Sequence, residues 1–287
     1  MTVPKHVYLF LVVGLIAASQ SGNLIRLGDA HPVAISAWRL LLATVVLVPL
    51  VGRRLGTVRV LTRGEALLLV ITGVLLAVHF FAWILAVQLT TVANASMFFS
   101  INPVITATAG YFFFKEHISK RLFLSIALGI GGVAVIGGSD LKLNPENFSG
   151  DAAAVVCSAL FSAYFLLGKK LRKKLSTDVY VAILYGIAAI FSFIVMLFLD
   201  LPLVDYTPQT WICFVAMALI PTLLGHTSFN NALRYIDAGR ISTATLSEPL
   251  LAGIVAYFAW GESVTVYSIA GYALICLSVA VLVLERR

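Results

Sequence analysis

The sequence predicts an all-α polytopic membrane protein: ten transmembrane helices arranged as two inverted five-helix repeats. Three observations carry this. Hydrophobic residues make up 60% of the chain and charged residues only 11%, far from a soluble globular composition. Apolar runs of 18 or more residues recur, each long enough to cross a hydrocarbon core. The third is an internal copy. Gly225 to Glu262 (GHTSFNNALRYIDAGRISTATLSEPLLAGIVAYFAWGE) repeats in weaker form at His79 to Glu116, 146 positions earlier. That offset pairs Pro249 with Pro103, Tyr257-Phe258 with Tyr111-Phe112, Glu262 with Glu116, Ser242 with Ser96 and Val279-Ala280-Val281 with Val133-Ala134-Val135. A constant offset near half the chain length is the signature of duplication.

Lipid offers backbone groups no partner, so the apolar runs must be helices; they also lack the alternation of a membrane barrel. The expected spans are 7–26, 32–52, 65–87, 92–114, 121–138, 151–169, 178–199, 209–233, 240–260 and 265–284. The first imitates a signal peptide, with Lys5 ahead of an apolar stretch ending in Ala17-Ala18-Ser19. It is read as retained, because the repeat gives it a partner in the sixth span. The halves are expected at 1–144 and 147–287. Each holds an odd number of spans, so the second enters the membrane with opposite polarity, an architecture recurrent in secondary transporters.

Charge sets the orientation. Seventeen of the 20 Lys and Arg residues fall on the face that carries both termini, Arg26 and Lys142 fall on the other, and Arg39 lies inside a span. This places the termini in the cytoplasm. The net charge of +7 is therefore a topology signal, and no nucleic-acid partner is expected. Cys157, Cys213 and Cys276 lie in apolar runs without a CxxC pair and read as small buried hydrophobes. No loop is long enough for a soluble domain. No HExxH, GxSxG, aspartate-rich prenyl-diphosphate motif or paired intramembrane aspartates occur, so neither enzyme, metal site nor cofactor is expected.

With these residues in hand, the chain resembles the ten-helix EamA-type branch of the drug/metabolite transporter superfamily. The resemblance spans nearly the whole length. It is carried best by Asn231-Ala232-Leu233-Arg234, Ser247-Glu248-Pro249-Leu250 and Gly261-Glu262, and less well by Asn102-Pro103 and Lys115-Glu116 in the first half. The first span has Ala18-Ser19-Gln20-Ser21-Gly22-Asn23 where the family often has a tryptophan. The resemblance implies export of amino acids or related small metabolites by alternating access, nearest to the YddG-type aromatic amino-acid exporters. It also implies a bacterial inner-membrane location, and a monomer is the expected form. The alternative within transport is a multidrug or cationic-compound exporter, which would favour an acidic residue in the first span; none is present. Phosphosugar transport would need cavity cations, and only Arg39 lies inside a span.

Polar residues in mid-membrane invite explanation. Glu248 sits about eight residues, roughly 12 Å, inside the ninth span. It reads either as a substrate-amine contact or proton carrier, or as a structural partner of Arg39 or of backbone freed by Pro249. Pro249 and its mate Pro103 read as bends or hinges, with Asn102 the mate of Glu248. His79 and Trp83, four apart, share a helix face; His226 with Phe229 and Asn230 forms a similar group in the eighth span. Imidazole beside an aromatic ring suits a zwitterion with an apolar or aromatic side chain, the alternative being interhelical hydrogen bonds. Gln20 and Asn23, three apart in the first span, and Phe161 and Tyr164, three apart in the sixth, complete the candidate binding residues. The resemblance places their spans around a central cavity. Arg39 reads as structural. Glu116 and Glu262 read as turn-forming interfacial groups, and the Lys169–Lys174 cluster as a topology determinant.

Overall fold

The computed structural model describes residues 3–138, 148–261 and 264–284. The boundary expected between the halves, Lys142 and Glu262 lie outside them. Among the described residues, nine helical stretches are long and apolar enough to cross a membrane. The 19-residue helix Lys120–Gly138 joins them at the position of the expected fifth span. The exterior carries large apolar side chains, with Phe113, Phe198 and Phe258 more than four-fifths exposed, as a surface solvated by lipid requires. Cys157 and Cys213 are buried, but Cys276 is exposed: it sits on the outward side of its helix, a choice between two apolar surroundings that hydropathy does not register.

The first half runs α1 (Lys5–Ser19), α2 (Ser21–Ile25), α3 (Pro32–Val51), α4 (Arg63–Leu89), α5 (Val92–Phe99), α6 (Asn102–Phe114) and α7 (Lys120–Gly138). The second runs α8 (Phe148–Leu171), α9 (Thr177–Phe198), α10 (Pro208–Met217), a π-helical segment (Ala218–His226), α11 (Thr227–Ala232), α12 (Ala238–Ala244), α13 (Glu248–Trp260) and α14 (Val266–Val283). Local chemistry sets the starts. Thr62 and Glu65 form a reciprocal capping box on α4. Thr91, Thr207 and Thr265 cap α5, α10 and α14 through side-chain oxygens.

The offset of 146 reappears in the coordinates. α5 and α12 start at Val92 and Ala238; α6 and α13 span Asn102–Phe114 and Glu248–Trp260. Both of the latter end on a left-handed residue, Lys115 (φ 55°) and Gly261 (φ 66°). Packing obeys the same symmetry. α3 lies against its own mate α9, and α7 against its mate α14. The α4–α8 pair is matched by α1 packed on the π segment and α11. In the α7–α14 pair, Ser125 Oγ donates to Ser278 O (2.8 Å) and Ser278 Oγ to Ser125 O (2.7 Å). Nearby, Gly132 and Gly271 bring the two backbones together, since a Cβ on either would meet the other's carbonyl oxygen at 2.7 or 2.6 Å. Small residues permit this approach and hydroxyls tie it in lipid. Pairing residue 125 with 278 and 132 with 271 runs the helices antiparallel, as a two-fold axis across them demands.

Three spans are interrupted helices, the first of them at Gln20, between α1 and α2. The fourth breaks at Ser100-Ile101 and the ninth at a 3₁₀ turn, Thr245–Ser247. Pro103 and Pro249 therefore sit in the first turns of α6 and α13, where the missing N–H costs nothing. Hydroxyls take up the carbonyls the break releases: Ser158 Oγ on Phe99 O (3.1 Å), Ser162 Oγ on Asn102 O (3.3 Å) and Thr245 Oγ1 on Ser242 O (2.7 Å). The eighth span solves Pro221 differently. The proline cannot bond the carbonyl four residues back, at Met217; the ladder widens into the π segment, and Thr222 Oγ1 donates to Met217 O instead (2.8 Å).

Candidate functional site

Six of the eleven expected binding residues line one central cavity: His79 and Trp83 from α4, Phe161 from α8, His226 from the end of the π segment, Phe229 from α11 and Glu248 from α13. Ala18, Ser21, Phe80 and Phe99 complete the wall. The space open to the centres of water molecules is about 40 Å³, room for a few waters inside a cage of rings. Phe80 meets His226 at 4.8 Å between centroids, His79 meets Phe161 at 5.4 Å, and the two imidazoles are 5.8 Å apart.

The imidazoles are oriented from behind. His79 Nδ1 lies 3.1 Å from both the carbonyl oxygen and the sulfur of Cys157, which leaves its Nε2 edge turned away from α8. His226 Nδ1 bonds Tyr164 OH at 2.9 Å. Tyr164 is fully buried behind the wall and acts on the site through His226. Trp83 Nε1 donates to Ser21 Oγ (3.1 Å). Glu248 makes no hydrogen bond or ion pair among the described residues, and it borders both the cavity and a smaller chamber lined by Asn102, Thr245 and Pro249. The structural partnership offered by Arg39 is absent. Arg39 Nε donates to Thr222 Oγ1 (2.9 Å), and its guanidinium lies over Phe80, 3.9 Å from the ring centroid.

The remaining expected residues lie elsewhere. Asn230 is fully buried and gives its amide to His226 O (2.8 Å): at this register its side chain turns along its own helix. Gln20 and Asn23 bond each other (3.0 Å), and Asn23 reaches Ala252 O (3.2 Å), tying the α1–α2 junction to α13. Asn23 faces a large vestibule, about 530 Å³ to water centres, that also takes in Thr91, Ser96, Pro249, Ala252 and Thr265. Ser96 and Pro249 line the small chamber as well, so the vestibule adjoins the chamber, and the chamber shares Trp83, Phe99 and Glu248 with the cavity. The turn residues in its wall, Thr91, Val264 and Thr265, put the vestibule at the face opposite the termini.

The 146-residue mates of the vestibule residues form a sealed seam at the terminal face. Ser242, mate of Ser96, bonds Asn102 Oδ1 and Thr106 Oγ1 (3.1 Å), and Thr106 donates to Ser162 (2.8 Å). Lys169, mate of Asn23, forms an ion pair with Glu116 and another with Asp237 at 3.2 Å, Asp237 being the mate of Thr91. The Glu116 carboxylate also accepts from the N–H groups of Ala238 (3.3 Å) and Gly239 (3.5 Å). Glu116 is thus a buried bond between the halves, which corrects the reading of it as an interfacial turn-former. The lysine cluster is likewise more than a topology signal. Arg172 is buried too, held by Asn230 O (3.0 Å), Leu175 O and Thr177 Oγ1, and burial lowers its guanidinium to about 10. The signal available in the sequence was complementarity: Glu116, Lys169 and Asp237 all end spans on one face.

The two halves each match the sequence profile of the EamA-like transporter family, at residues 5–138 and 148–284. The chain belongs to that family. Among its relatives are the uncharacterized transporter YyaM of Bacillus subtilis, 25% identical over 96% of this chain and 93% of its own, and an uncharacterized transporter of Archaeoglobus fulgidus, 26% identical over 70% of each. Human solute carrier family 35 member G1 is 29% identical over 56% of this chain and 46% of its own. A protein of known crystal structure shares the fold at a TM-score of 0.81, with 17% identity over 97% of this chain and 96% of that one. This EamA-family chain is accordingly a multi-pass membrane transporter for a small molecule.

Proposed function

We propose that the chain exports amino acids, aromatic ones included, or related small metabolites, by alternating access through the central cavity. It does so across a bacterial inner membrane with both termini in the cytoplasm and with halves at 1–144 and 147–287. The observation that carries the reading is the cavity's composition. A carboxylate with no partner among the described residues, Glu248, borders the same space as two oriented imidazoles and a cage of rings, which fits a substrate with a cationic amine and a flat apolar body. The vestibule supplies a route on the extracytoplasmic side, and the symmetry-related seam is the route's closed counterpart. Pro103 and Pro249, at the two helix breaks, are the hinges on which the route exchanges sides.

The test is uptake into liposomes of purified protein, using labelled amino acids, cationic dyes and phosphosugars, with and without a pH gradient. Amino-acid flux that falls in both His79→Ala and Trp83→Ala is expected. The same free carboxylate among rings also favours export of cationic aromatic compounds. Dye flux without amino-acid flux selects that second reading, and amino-acid flux indifferent to both substitutions removes this cavity from the path.

A further inference from the structure

Arg39 stands in the middle of α3, with 1% of its surface exposed. A charge buried there is tolerated when every donor is matched, and this one is not. Nε is bonded to Thr222, but Nη1 and Nη2 are buried without a hydrogen-bond partner among the described residues, and no carboxylate there forms an ion pair with it. Thr222 is itself engaged elsewhere: its hydroxyl donates to Met217 O, and its carbonyl accepts from Tyr185. What lies against the guanidinium is the face of Phe80, and Phe80 is cavity wall, edge-on to His226. Arg39 is therefore one ring behind the cavity. Glu248 borders the same cavity from α13, a different wall.

We propose that Arg39 binds a carboxylate of the substrate, which reaches the free Nη1–Nη2 edge when the Phe80 ring swings aside. The planar fork matches a carboxylate through two parallel N–H···O bonds. The π segment that holds Thr222 also presents His226, so the anchor of the arginine and one wall of the cavity are a single piece of backbone. The substrate would then be gripped at both ends, its amine toward Glu248 and its carboxylate toward Arg39. This deepens the amino-acid reading and rests on it.

The test is competition against uptake of a labelled amino acid into liposomes, comparing three competitors: the unlabelled acid, its amide and its decarboxylated amine. In the wild-type protein the amide and amine should compete about 10- to 100-fold more weakly than the acid, the worth of one bond to a charged group. Arg39→Met should erase that difference, and Arg39→Lys should keep part of it. Equal competition by acid and amide in the wild-type protein overturns the proposal even if no variant folds, and so does an unchanged ratio in Arg39→Met. Should the wild-type protein move no amino acid, the amino-acid reading fails. Arg39 is then judged by the same comparison between simple carboxylates and their amides, where equal competition or absence of flux overturns it.

Discussion

Glu116→Gln is the sharpest perturbation of the seam. The substitution keeps shape and leaves one oxygen for the Ala238 N–H, while the Gly239 N–H, which bonds the other carboxylate oxygen, loses its acceptor; above all it removes the charge that holds Lys169. Both side chains are well covered, Glu116 at 6% and Lys169 at 18% exposure, so solvent screens the pair little. Lys169 retains Asp237 at 3.2 Å, a partner 34% exposed and correspondingly weaker. The loss is therefore dominated by one charge-assisted bond, about 1.5–3 kcal/mol, the Gly239 contact being long at 3.5 Å, rather than by the larger penalty of a stranded buried charge. At about 1.4 kcal/mol per factor of ten, opening of the seam should become about 10- to 100-fold more populated. Ser242 lies in the seam and its mate Ser96 in the vestibule, so cysteines at these two sites read the two sides. In a chain whose exposed Cys276 is replaced by alanine, Ser242→Cys should react faster with a membrane-impermeant thiol reagent when Glu116→Gln is added. Ser96→Cys should react correspondingly more slowly. A Ser242→Cys rate unchanged by Glu116→Gln would refute the latch.

Further outcomes follow from the same geometry. Glu248→Gln should remove dependence of flux on a pH gradient while leaving substrate binding measurable; a variant that still concentrates substrate on that gradient excludes Glu248 as proton carrier. Tyr164→Phe frees His226 Nδ1 without reshaping the wall and should raise KM by about fivefold, the worth of roughly 1 kcal/mol in one neutral hydrogen bond, with protein yield unchanged. Gly132→Val pushes a side chain onto the Gly271 carbonyl and should destabilise by about 1–3 kcal/mol, read as a lower melting temperature in detergent; an unchanged melting temperature would mean that α7 and α14 do not touch as described.

Much of this fold was legible in the sequence because duplication is a long-range signal. The offset that aligned Pro103 with Pro249 also aligned the starts of α5 and α12 and both ends of α6 and α13. The interior of the site was only partly legible. His79, Trp83 and His226 announced themselves as polar or amphipathic groups in apolar runs. Phe80 and Phe99 did not, because in a membrane helix the lipid-facing and cavity-facing positions are both apolar and periodicity loses its contrast. Asn230 was misplaced for a related reason: its helix position put it near His226, but its hydrogen bond turned it along the backbone. Glu116 and Lys169 were invisible as a pair because each alone had a sufficient explanation at the membrane surface, and only their contact across the halves assigns a role. The unmatched nitrogens of Arg39 are a property of neighbours up to 183 residues away, which no local pattern encodes.

The reciprocal serines of α7 and α14 have a consequence for motion. If the two halves trade conformations, each helix takes over the role of its mate, and a contact between mates is carried onto itself. The Ser125–Ser278 and Gly132–Gly271 contacts, and the packing of α3 on α9, can then persist through a complete cycle as fixed axles. Change must be concentrated in pairs that are not mates, such as α4 on α8 against α1 on the eighth span. The change that moves a substrate is thereby confined to the contacts between elements that are not mates.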